Sequence, residues 1–214
     1  MPDATTFALF AAACVAFLVI PGPSVFYIVT RSLVQGRRAG LTSMLGVQAG
    51  GLVHVVAAAF GVSALIASSA AAFTVVKYAG AVYLVFLGVR KLLARDGDDD
   101  ELEELPRGPT SGRNLFTHGV IVNVLNPKTA LFFLAFLPQF VDAGSPVAPQ
   151  MLVLGVMLVC IGALSDGTYA LLAAGAGNRL RSATAVRRRL DRLSGGVFVG
   201  LGVFAALAGE PRQS

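Results

Sequence analysis

Two proline-centred interruptions, Pro21-Gly22-Pro23-Ser24 and Asn126-Pro127-Lys128-Thr129, fall near the middle of apolar runs that are each long enough to cross a membrane. Proline lacks a backbone N–H and clashes with the carbonyl four residues back, so each run must break into two half-helices. Inside a bilayer the freed N–H and C=O groups find no water. Such a break persists only where protein buries it or a wet cavity lines it. Two breaks at matching places in the two halves of a chain form the sequence pattern of a transporter's substrate site. The alternative is a pair of structural kinks, which suits one mid-span proline better than two matched ones.

Composition leaves little room for anything but an integral membrane protein. Of 214 residues 55% are hydrophobic and 14% charged, and the mean hydropathy is +0.73; soluble domains carry about 25% charged residues. Cys14 and Cys160 lie in separate apolar runs and are expected as free buried thiols, with no disulfide framework or CxxC metal pattern.

The spacing predicts six spans in a single domain. The first covers about 7–33 and contains the first break. It is not expected to be a cleaved signal peptide, because no Lys or Arg precedes it and the apolar character resumes after the prolines. The second span, about 41–67, has no Asp, Glu, Lys or Arg. The third covers about 72–93. An acidic, proline-containing linker at about 94–113 follows, with Asp96, Asp98, Asp99, Asp100, Glu101, Glu103 and Glu104, and reads as solvated and flexible. The fourth span, about 115–140, contains the second break; the fifth covers about 151–177 and the sixth about 194–208. Repeat one therefore occupies about 5–93 and repeat two about 114–209.

Fourteen of the 17 Lys and Arg residues fall in three alternate loops: Arg31, Arg37 and Arg38 after span one, five around the acidic linker, and six from Arg179 to Arg192 after span five. The other two loops hold none. The positive-inside rule then puts the three basic loops in the cytoplasm and both chain ends outside. The net charge of +5 thus reports topology and headgroup contact rather than nucleic acid. With this topology the two halves enter from opposite sides, so the fold class expected is all-α, six transmembrane helices arranged as a 3+3 inverted repeat with helices 1 and 4 broken.

A half-helix that starts at a break presents free N–H groups and the positive end of its dipole, which suits a carboxylate. One that ends there presents free carbonyls, which suit an ammonium group. Pro21, Gly22, Pro23, Ser24, Asn126, Pro127, Lys128 and Thr129 are accordingly the candidate substrate-binding residues, for a zwitterion of amino-acid type. Ionisable residues inside spans are functional candidates by default. Asp166 is the one acid of 12 that lies deep in a span. It is the candidate proton-coupling group, with His54 as a second that fits an interhelical hydrogen bond equally well. Lys128 either neutralises Asp166 or meets the substrate carboxylate. Gly46, Gly50 and Gly162 are candidate helix-packing positions. No P-loop, dinucleotide fingerprint or nucleophile–base pair occurs, so no enzyme activity and no cofactor are expected.

Those residues carry a resemblance to a known family. Pro21-Gly22-Pro23, the stretch from Gly46 to His54, Lys77-Tyr78-Ala79-Gly80-Ala81-Val82-Tyr83-Leu84 through Gly88, and Asn123 with Asn126-Pro127-Lys128 ahead of Phe136-Leu137-Pro138-Gln139-Phe140 resemble the LysE/RhtB family of amino-acid exporters. The likeness covers nearly the whole chain apart from the linker. It implies a multi-pass protein of a bacterial-type cell membrane that exports amino acids or derivatives, of the homoserine, threonine, lysine and leucine class, by exchange with protons. The family pattern puts an acid about two turns before the Tyr matched by Tyr169, near Gly162; here Asp166 stands one turn later.

The partners expected are a small amino acid, protons and the lipid bilayer, with homo-oligomerisation left open. Three competing readings stand beside this one. A metal-cation exporter needs more ligands than one deep His and one deep Asp supply. A membrane electron carrier needs a cysteine pair at the centre. A passive channel shares every feature named above.

Overall fold

The computed structural model describes residues 2–19, 21–62, 110–142 and 144–176, with isolated helical positions at 64, 74–75, 78–79, 81–82, 85–86, 89, 199–200 and 203. Lys77, most of the third span, the linker as far as 109, the basic stretch 178–192 and most of the sixth span lie outside the described residues. Among the described residues every regular element is helical.

Helix α1 (Ala4–Val19) starts where the Asp3 carboxylate accepts the Thr6 N–H at 2.7 Å and stops just before the first break. Gly22 is extended there, at φ −119° and ψ −172°, and α2 (Pro23–Ala57) begins with a proline in its first turn. The fixed φ of that proline suits the position, and its missing N–H costs no hydrogen bond.

The sequence predicts a basic loop between spans one and two. In its place the chain reverses at Gly36, whose φ of 82° and ψ of −177° belong to a region that essentially only glycine occupies. Residues 23–35 and 37–57 fold back on each other as two arms. Tyr27 and Ile28 pack on Val47 and Ala170, and a Cβ on Gly40 would strike the Ser32 hydroxyl. Arg31, expected in the loop, is instead on the first arm and 1% exposed. Its guanidinium lies 5.7 Å from the centre of the Tyr27 ring, and its Nη1 donates to Thr110 Oγ1 at 3.3 Å. Arg37 and Arg38 are exposed, as topology-setting residues should be. A π-helical turn, Ala58–Val62, ends the second arm.

Helix α3 (Gly112–Val124) is capped by Ser111, which accepts from the Asn114 N–H at 3.3 Å. After the second break come α4 (Pro127–Leu131), a π-helical turn (Phe132–Phe136) and a 3₁₀ turn (Leu137–Phe140). Helix α5 (Val147–Ala176) starts earlier than expected, with Pro149 accommodated in its first turn. In the loop before it, the Gly144 N–H and the Ser145 hydroxyl hold the Asp142 carboxyl below the usual carboxylate range. By length and apolar composition Pro23–Gly61 and Val147–Gly175 qualify as membrane-crossing runs, the first of them divided into its two arms at Gly36. The pair Gly112–Val124 and Pro127–Phe140, bent by 48°, has the length and composition of either one broken span or a re-entrant loop. Cys14 is buried, whereas Cys160, expected buried, is exposed.

Aromatic side chains join α1 to the segment after the second break. Phe10 and Phe17 lie on one face of α1. Phe17 meets the Phe132 ring at 4.2 Å, Phe10 meets Phe140 at 5.1 Å, and Phe132, Phe136 and Phe140 touch in turn with tilted rings. Buried aromatic pairs of this kind contribute about 0.5–1.5 kcal/mol each beyond their area. The second arm of α2 crosses α3 with glycines on both sides. A Cβ at Gly46 would meet the Phe116 carbonyl, one at Gly119 would lie 2.6 Å from the Ser43 oxygen, and one at Gly50 would lie 2.8 Å from the Val120 oxygen. These obstacles are backbone atoms, which cannot swing aside.

Gly46→Ala should therefore cost about 1–3 kcal/mol and lower the Tm of detergent-purified protein by roughly 3–10 °C. Gly167→Ala, which would meet only the Met44 methyl at 3.8 Å, should leave Tm within a degree or so. Equal melting of the two variants would show that the close crossing is not limiting for stability.

Candidate functional site

The two breaks, 102 residues apart in sequence, touch. Asn126 caps the chain entering α4, its Oδ1 accepting from the Lys128 N–H at 3.0 Å, while its Nδ2 donates to Ser24 Oγ at 2.9 Å. The Ser24 hydroxyl donates to Asn123 Oδ1 at 3.2 Å, and Thr129 Oγ1 donates to the same oxygen at 2.9 Å. Asn123 Nδ2 donates to the Val47 carbonyl at 2.7 Å. One amide on α3 thus ties the start of α2, the start of α4 and the second arm of α2 together. Both acceptor positions of Asn123 Oδ1 are filled.

The carbonyl end of α1 is filled as well. Lys128, 7% exposed, donates through Nζ to the Phe17 carbonyl at 2.8 Å, with the ammonium 4.3 Å from the Phe17 ring centre. Its stem passes close to Gly22, where a Cβ would lie 3.0 Å from Lys128 Cδ. Tyr169 on α5 donates its hydroxyl to the Val19 carbonyl at 2.6 Å. Two of the carbonyls that sequence reasoning offers to a substrate ammonium, those of Phe17 and Val19, are met by the protein's own cation and phenol.

Between these elements lies a cavity of about 60 Å³, room for a few waters. Gly22, Ser24, Asn126, Lys128, Thr129, Gly162 and Asp166 all line it. Pro21, Pro23 and Pro127 shape the breaks without lining the space. Asp166 is 4% exposed, and its Oδ2 accepts from Gln48 Nε2 at 2.8 Å. A buried carboxylate needs such donors to stay ionised.

His54 is not a lining residue. Its Nε2 lies 3.0 Å from the Asn123 carbonyl. A carbonyl only accepts, so that nitrogen carries the proton. The ring stacks on Phe133 at 5.6 Å, which is the interhelical role. Gly46 and Gly50 sit at the crossing of α2 and α3, away from the cavity.

Sequence reasoning missed two residues. Asn123 entered only through a family likeness, although an amide three residues before Asn126 on an apolar helix is a visible signal. Gln48 went unremarked, although it is the one amide in an otherwise apolar and glycine-rich stretch of span two. Among the described residues, no three His, Cys, Asp or Glu side chains come together as a metal site.

Comparison with known proteins agrees with this architecture. The profile of the LysE type translocator family matches residues 15–209. An uncharacterized membrane protein of Vibrio cholerae is 35% identical over 199 residues, covering 91% of this chain and 93% of the relative. A homoserine/homoserine lactone efflux protein of Salmonella typhimurium is 35% identical over 153 residues, 72% of this chain and 73% of the relative. A leucine efflux protein of Klebsiella pneumoniae is 33% identical over 135 residues, 61% of each. No solved structure matches. With paired helix breaks meeting at a cavity that Lys128 and Asp166 help to line, helices throughout the described residues, and a family match that spans both breaks, the chain belongs to the LysE type translocator family.

Proposed function

We propose that this chain is a secondary exporter of amino acids or close derivatives, of the homoserine, threonine, lysine and leucine class, working by proton antiport from the cytoplasm. The observation that carries the reading is the cavity where the two breaks meet, with a cation and a carboxylate on its walls. The relatives named for homoserine, homoserine lactone and leucine efflux support the substrate class. The six-span inverted repeat, the cytoplasmic membrane and the outward chain ends belong to the same reading, supported by the basic-residue pattern. A metal-cation exporter remains the alternative, without a ligand cluster among the described residues to favour it.

The same contacts support one orientation for a zwitterion in this scheme. Lys128 and Tyr169 occupy two of the α1 carbonyls, those of Phe17 and Val19, which favours Asp166 as the partner of the substrate ammonium. The substrate carboxylate goes to the Lys128 and Ser24 side. Asp166 then holds either the substrate ammonium or a proton, and the two exclude each other. That exclusion is what an antiporter requires.

Counterflow in proteoliposomes tests the function. Vesicles preloaded with homoserine, threonine, lysine or leucine should exchange one or more of them, faster with an imposed pH gradient. No movement of any amino acid by folded protein would remove the exporter reading. Asp166→Asn should abolish the acceleration by the gradient while leaving Tm nearly unchanged; wild-type gradient response in that variant would take Asp166 out of the coupling. Lys128→Gln should raise the apparent KM by about tenfold, the worth of one hydrogen bond to a charged group. An unchanged KM would leave Lys128 as a cap for α1 alone.

A further inference from the structure

Gln48 takes no part in the scheme above beyond its bond to Asp166. Its position gives it more to do. The side chain comes from the second arm of α2, lines the cavity and reaches two places on α5, one turn apart. Its Nε2 donates to Asp166 Oδ2 at 2.8 Å. A Cβ added at Gly162 would lie 3.2 Å from Gln48 Oε1 and 3.6 Å from Leu18 Cδ2. The glycine at 162 is thus the space into which the Gln48 oxygen points. Among the described residues the one hydrogen bond of these two side chains runs from Gln48 Nε2 to Asp166 Oδ2, which leaves Gln48 Oε1 and Asp166 Oδ1 to accept, and both residues line the cavity. Two acceptor oxygens on neighbouring side chains, with one carboxylate 4% exposed, make a site for a group with several N–H donors. A primary ammonium has three.

We infer that Gln48 is the specificity-determining residue of the cavity: its amide oxygen and the Asp166 carboxylate together receive a primary ammonium, and its length sets how large a side chain the bound molecule can carry. This rests on the exporter reading given above. The amide does two separable things. Its nitrogen orients Asp166 and its oxygen adds a second acceptor, which favours an ammonium over a hydroxyl with only one proton to give. Its bulk, packed toward Gly162, helps hold the cavity to about 60 Å³.

The test is competition in proteoliposome counterflow. Whichever of homoserine, threonine and leucine the wild type carries is competed against its own α-hydroxy acid, and the carried amino acids are competed against one another. Each result is a ratio within one variant, so a smaller amount of folded carrier cancels. Gln48→Leu, close in size but without the amide, should lower the discrimination of amino acid over hydroxy acid by about tenfold. It should leave the order among amino acids as it was. Gln48→Ala should lose the same discrimination and also shift preference toward leucine over homoserine by about tenfold, the usual worth of space in an apolar pocket. A purely structural glutamine would slow all substrates equally. Ratios within twofold of wild type in both variants would therefore overturn the inference while leaving the exporter intact. A wild type that carries no amino acid would overturn both.

Discussion

A polar backbone group freed at a helix break inside a bilayer must find a partner in the protein, and this requirement organises the described part of the chain. The carbonyls at the end of α1 receive Lys128 and Tyr169. The start of α4 is capped by Asn126, and Asn126 is joined through Ser24 and Asn123 to the start of α2. A lost partner in such a place leaves a buried group unsatisfied at about 1–3 kcal/mol, more where a charge is involved. The first break is thus completed by residues from the other half of the chain, while the second is capped by its own Asn126 and tied to the first through Ser24. This mutual support gives a physical reason for the two to occur together.

The breaks themselves were legible, because proline acts locally and unconditionally on the helix that contains it. The acid at 166 and the lysine at 128 were legible for a related reason: a charge in an apolar run stands out against its cost. Less visible was where the freed groups would go. Local reasoning left the α1 carbonyls open for a ligand, and a lysine 111 residues away closes one of them. Long-range satisfaction of this kind leaves no periodicity to read. The loop after span one failed for another reason. Arg31, Arg37 and Arg38 carry the same topology signal, but a reversal at one glycine leaves Arg31 inside the protein and the other two outside. Composition registers all three arginines alike. The Gly36 conformation that separates them is a property of one φ angle.

The close crossing of α2 and α3 has consequences for the site. Gly46, Gly50 and Gly119 let the two backbones approach, and that approach puts the Val47 carbonyl within reach of Asn123 Nδ2 and the Asn123 carbonyl within reach of His54. Packing in a membrane has no strong hydrophobic drive and relies on contact and interhelical hydrogen bonds. Here the small residues provide the contact and Asn123 provides the bonds. The same amide then positions Ser24 and Thr129 on the cavity wall. Helix packing and site geometry share one residue, so a change that loosens the crossing also moves the walls of the cavity.

Charge balance follows from the same inventory. With both groups ionised, Lys128 and Asp166 contribute one positive and one negative charge to the lining of a small cavity. Charge in a low-dielectric space is costly unless it is compensated. A zwitterion adds one charge of each sign and leaves the sum at zero. In the proposed exchange, a proton on Asp166 would remove the partner of the substrate ammonium and leave the Lys128 charge as the balance for a carboxylate that has lost its other anchor. Under the exporter reading, substrate release and proton arrival are then one electrostatic event at one carboxyl group, and coupling needs no second titrating site to carry it.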